Sequence, residues 1–162
     1  MRNTIARALG FLAALTPANH DATSAPSPSP RSLCRAPEMV LFTCGIRTKV
    51  VSICGQGERN AVYRFGRPGR VELEVSDLHY AEQAFSGGGE TQVYANTPTH
   101  RYLVYDRIVR TSFDNGRHDP QAESGVVVQR GNQTISSRHC GSPTAFDSST
   151  RTVVPTGPYM PH

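Results

Sequence analysis

The sequence predicts an all-β fold, a small antiparallel barrel or sandwich of about eight to nine strands stapled by two disulfides. Three observations lead there. Apolar and polar residues alternate with period two in nearly every segment between Leu33 and Cys140, the spacing of a half-buried strand. Turn residues interrupt these runs at intervals of roughly 8 to 12 residues. Four cysteines, Cys34, Cys44, Cys54 and Cys140, stand well apart with no C-x-x-C among them, which suits a disulfide frame better than a metal or redox site.

At the N-terminus Arg2 and Arg7 precede the apolar run Ala8 to Leu15, and Thr16-Pro17-Ala18 follows it. A charged start, a short apolar core and small residues at the exit predict a signal peptide over residues 1–18, cleaved after Ala18 or Ala25. The run is too short for a membrane span, which needs about 20 apolar residues. Residues 19–32 are rich in Ser and Pro, and Pro26, Pro28 and Pro30 each remove a backbone donor. They are expected to form a disordered linker. A periplasmic or secreted location follows.

A single β domain is expected over residues 33–140. Its strands are read in order as "VLFTC", "KVVSIC", "AVYRFG", "RVELEVS", "HYAEQAF", "TQVYANT", "RYLVYDRIV", "GVVVQ" and "QTISSRHC". In "RVELEVS", Val71, Leu73 and Val75 face one way and Glu72 and Glu74 the other. Between the strands lie turn formers: Pro68-Gly69, Gly87-Gly88-Gly89, Pro98, Asp114-Asn115-Gly116 and Gly131-Asn132. The last 22 residues, 141–162, repeat the Ser, Thr, Gly and Pro bias of the linker and are expected to be a disordered tail.

The first hairpin decides how the cysteines pair. A four-residue connection, Gly45 to Thr48, sets Cys44 across from Lys49, Phe42 from Val51 and Val40 from Ile53. Opposed residues share a face, so Cys44 lies on the apolar face and Cys54 on the other. Across a ladder they cannot meet the Cβ spacing of a disulfide, about 3.5 to 4.5 Å. Cys34 precedes the first strand closely and Cys54 ends the second, which favours Cys34 with Cys54 and Cys44 with Cys140. The rival zinc reading lacks close ligand pairs, since the cysteines are separated by nine, nine and eighty-five residues. His139 beside Cys140 would point to the opposite face.

Catalytic patterns are absent from the sequence. There is no G-x-S-x-G and no H-E-x-x-H, and "SGGGE" at Ser86 to Glu90 lacks the Lys-Ser/Thr of a phosphate loop. His20 and His162 fall in the terminal segments. His118 and Asp119, with Ser86, are the group to test for an exported hydrolase. Sixteen of seventeen basic residues are Arg, scattered without a run. Removal of Arg2 and Arg7 with no acid lowers the formal charge from +4 to +2. That mild balance predicts no nucleic-acid partner. No cofactor, no metal and no membrane insertion are expected, and the domain should be a monomer.

The blocks "VLFTC", "KVVSIC", "YRFGRPGRVELE", "FSGGGETQVY", "RYLVYD" and "SGVVVQRGN", with the closing Cys140, resemble a family of bacterial exported small β-proteins to which no activity is assigned. The resemblance implies export and two disulfides. A second similarity, to periplasmic inhibitors of c-type lysozyme, rests on Ser86-Gly87 and Tyr94. The spacing here is longer than the S-G-x-x-Y pattern of those inhibitors. Together these readings predict a noncatalytic interaction module or surface antigen of the cell envelope. Its candidate recognition loop comprises Ser86, Gly87, Gly88, Gly89 and Tyr94, and its partner is a protein or envelope ligand.

Overall fold

A computed structural model describes residues 31–111 and 119–162. The expected signal peptide, most of the linker, the Asp114-Asn115-Gly116 turn and His118 lie outside those residues. Nine strands are present. β1 (Met39–Ile46), β2 (Lys49–Gly57), β3 (Asn60–Arg67) and β4 (Arg70–Val75) form one antiparallel sheet in sequential order. β5 (Leu78–Phe85), β6 (Gly88–Asn96), β7 (Arg101–Arg110), β8 (Pro120–Arg130) and β9 (Gln133–His139) form the second, also in sequential order.

The expected alternation builds the core, except that a bulge in β4 sets Val71 opposite Gly66 and so off the face shared by Leu73 and Val75. Phe42, Val51, Ile53, Tyr63 and Val75 of the first sheet meet Tyr80, Val93, Ala95, Val104 and Val126 of the second in one buried cluster. The alternative of a closed barrel is corrected: among the described residues no ladder joins the two sheets. The two-residue link Ser76-Asp77 carries the chain from one sheet to the other. Each sheet then buries its apolar face against its neighbour, with edges left unjoined.

The first hairpin also departs from expectation. Its turn is the pair Arg47-Thr48, with Arg47 at φ 55°, the left-handed conformation that tight hairpins require. Ile46 therefore opposes Lys49, Cys44 opposes Val51 and Phe42 opposes Ile53. The register is two residues from the expected one. The even slip keeps Cys44 and Cys54 on opposite faces, so the inference about the cysteines survives. A bulge between Val40 and Phe42, however, sets Val40 opposite Cys54 instead of Ile53 and leaves it 44% exposed while Leu41 is buried. Cys34 bonds Cys54 with 5.4 Å between Cα atoms, and Cys44 bonds Cys140 with 5.3 Å.

The expected disordered tail is the main correction. After Cys140 the Gly141 amide donates to the Gly45 carbonyl, and the Asp147 amide donates to that of Leu41. A short helix, α1 (Thr150–Val153), follows, and Val153 and Val154 join the core. Thr156 then bridges Tyr80 in parallel, after which Tyr159 and Met160 pack on Ala81, Tyr94, Leu103, Tyr105 and Val127. An extended segment needs no periodicity when its backbone groups find partners on an existing sheet.

Each sheet thus has its outer face crossed by a strap. Residues 32–38 cross the first sheet, where the Leu33 amide donates to Ser52 Oγ at 3.0 Å and Cys34 is bonded to Cys54. Residues 155–162 cross the second. Under the first strap lies the charged side chain of Arg64, and under the other that of Glu90, both buried.

Candidate functional site

The candidate loop resolves into a tight turn and a strand. Only Ser86 and Gly87 form the turn, because Gly88 and Gly89 already belong to β6, opposite Phe85 and Ala84. Gly87 has φ 92° and its carbonyl accepts the Arg110 amide at 2.8 Å. A Cβ on Gly88 would meet the Ile108 carbonyl oxygen at 1.8 Å. Glycine at 88 is thus what lets β6 and β7 approach at this end. Flanking the turn, Phe85 is 39% and Ile108 52% exposed, one on each face of the sheet, since Phe85 aligns with Val109 and Ile108 with Ala84.

Tyr94 is not part of this surface. It lies six residues along β6 from Gly88, about 20 Å at strand rise, and is 3% exposed. Its ring stacks on His79 at 5.3 Å under the Arg101 guanidinium, and burial pushes its hydroxyl pKa up. The pair on which the similarity to lysozyme inhibitors rests is therefore not brought together. Of the hydrolase group, Ser86 and Asp119 lie at the same end of the sheet, where the Thr111 amide donates to the Asp119 carbonyl at 3.3 Å. His118 lies outside the described residues.

Behind the turn the core-facing side of the second sheet changes character. Glu82, Thr91, Asp106 and Ser124 are aligned across β5, β6, β7 and β8, and an open trough of about 540 Å³ runs from Glu82 and Asp106 to Ile108. Asp106 accepts the Phe146 amide at 2.7 Å, yet burial holds its carboxyl above the ordinary range. Glu82 sits below that range because the Tyr80 hydroxyl and Arg151 both donate to it. The trough sets a buried carboxyl beside one held by two donors, a mixed floor for hydrogen bonding. The sequence signal was available: Glu82, Thr91 and Asp106 interrupt the apolar face that Tyr80, Val93 and Val104 establish.

Among the described residues, the one group with metal-ligand spacing is Cys34, Glu38 and Cys54. Its sulfurs are joined to each other. No helix of the described residues is long and apolar enough to cross a membrane. No family model, curated protein or solved structure matches the chain.

Proposed function

We propose that the protein is an exported, noncatalytic interaction module of the cell envelope or secreted fraction, which grips a partner protein at the Ser86-Gly87 end of its second sheet. The observation that carries this reading is the exposure of Phe85 and Ile108 beside a turn fixed by the Gly88 close approach. A rigid sheet end that offers an apolar side chain on each face, Ile108 at the edge of the polar trough and Phe85 on the other side, gives a partner apolar contact next to polar groups, as protein interfaces do. Loops on a stiff sheet are where recognition residues collect. Two disulfides suit an oxidising compartment, and the Arg-led apolar run supports export.

Two measurements test it. Intact mass of the protein recovered from its native host should place the mature N-terminus after Ala18 or Ala25, with no free thiol. A photo-crosslinking residue at position 85 or 108 should give a discrete adduct in the envelope or medium, while one at exposed Arg59 gives none. Equal labelling from all three positions would remove the tip as the interface. Hydrolysis of an ester or peptide substrate that disappears in His118→Ala would replace this reading with the hydrolase formed by Ser86, His118 and Asp119.

A further inference from the structure

The two sheets are held at a fixed separation by the Cys44–Cys140 bond, and immediately beyond it they part. Ile46 lies two residues past Cys44 on β1, and Arg138 two residues before Cys140. Each is on its cysteine's face and about 7 Å further along. Arg138 opposes Val126 of the core cluster, so its Cβ is directed between the sheets. Here a cavity of about 230 Å³ opens to solvent.

Its walls are apolar: Phe65 and Ile46 from the first sheet, and Val126 and Val128 from the second. Its interior carries Tyr63 stacked on Tyr102 at 5.6 Å. Burial raises the Tyr63 hydroxyl far above its usual range, and no hydrogen bond contributes to that shift. At the rim stand Ser136 and Arg138. The Arg138 guanidinium donates to the adjacent Ser137 carbonyl at 3.0 Å and, like several other surface arginines of the described residues, makes no ion pair there with a carboxylate, which leaves its charge available at the cavity rim. A cavity of about 150 Å³ accepts benzene, so this one has room for a ring or a short chain and not for a long lipid.

We infer that the inter-sheet cavity is a binding site for a small amphipathic carboxylate, its apolar body between Phe65 and Val128 and its carboxylate on Arg138. An apolar pocket with a few convergent polar groups is the usual form of a small-molecule site, and guanidinium is the side chain best matched to a carboxylate. The inference does not depend on the sheet-end interface, since the two sites share no residue.

The test uses the oxidised full-length protein, octanoate, and 1-octanol as a neutral probe of similar shape, with binding followed by titration calorimetry. Octanoate should bind saturably and more tightly than 1-octanol. Arg138→Gln, at an exposed position, should weaken octanoate about fivefold and leave 1-octanol unchanged. Val128→Phe, which fills the cavity, should weaken both, with near-UV circular dichroism confirming that the variant is folded. Absence of saturable octanoate binding at millimolar concentration would overturn the site. So would equal effects of Arg138→Gln on the two probes, or undiminished binding to folded Val128→Phe.

Discussion

Arg64 heads the fully buried side chains by volume, at 1% exposure, and it carries a permanent charge. Burying such a charge costs several kcal/mol unless it is paired and hydrogen-bonded. Here the first strap supplies the pairing. Glu38 takes two guanidinium nitrogens, Glu74 accepts Nε at 2.7 Å and the Leu33 carbonyl accepts Nη1 at 3.4 Å. The bond from Arg64 holds the Glu38 carboxyl at about 2, against an ordinary 4.5. A depressed folded-state value means that the stability it confers is complete above about pH 4.5 and is lost as the pH falls towards 2. Glu38→Gln should therefore destabilise the domain by roughly 3 kcal/mol at pH 7, with Glu74 limiting the loss. It should also flatten the dependence of melting temperature on pH between 2 and 5. Thermal melts across that range check both effects, and an unchanged acid limb in the variant would show that Glu38 is not the titrating group.

At the scale of elements, the strands were legible and the second strap was not. Tyr80, Val93 and Val104 announce their face by alternation, because burial on one side of a ladder demands it. The bulge in β4 that takes Val71 off the face of Leu73 and Val75, by contrast, left no mark in the alternating "RVELEVS". The strap over the second sheet is held in another way. Gln92 donates to the Met160 carbonyl at 2.8 Å and accepts its amide at 3.0 Å, and Gln129 donates to the Pro161 carbonyl at 3.1 Å. Buried Glu90 accepts from Gln92, Tyr159 and His162. Burial alone would raise the Glu90 carboxyl, and these bonds outweigh it, leaving it below the ordinary range. Side-chain amides that read backbone groups impose no pattern on the segment they hold, so "TGPYMPH" resembled a linker. The one positional demand is at Gly157, where a Cβ would meet the Tyr94 hydroxyl at 2.3 Å and His79 Cβ at 2.8 Å. Gly157→Ala should lift the strap while the sheets persist. Amide exchange should accelerate at Gly157 and Met160, whose N–H groups bond Tyr80 O and Gln92 Oε1, and stay slow at Val104 and Val127. Uniform acceleration at all four would mean that strap and sheet open as one unit.

For the whole molecule, period two and spaced cysteines sufficed for an all-β, doubly bonded domain. They could not distinguish one closed sheet from two open ones, because both satisfy the same alternation. The two bonds differ in the length of chain they close, 20 residues for Cys34–Cys54 and 96 for Cys44–Cys140. The loop-entropy relation gives about 3.3 and about 4.7 kcal/mol, respectively. Replacing Cys44 and Cys140 by Ala together should therefore cost about 1.4 kcal/mol more than replacing Cys34 and Cys54. Denaturant melts of the two double variants measure the difference. A reversed order would show that strain or residual structure outweighs chain entropy.

The sequential order of strands in both sheets has a consequence for how the protein is joined. Every ladder joins neighbours in the chain, so each sheet is closed by local pairings and the two meet only through their buried faces. Cys34 and Cys54 are joined within reach of the first sheet alone, but Cys44 needs a partner 96 residues further on. In the folded sheet Cys44 and Cys54 lie on opposite faces, so neither sulfur can exchange with the other's bond without the ladder opening. The alternation that builds the core thus also sorts the four sulfurs, one bond local to the first sheet and its strap and one that ties the two sheets together.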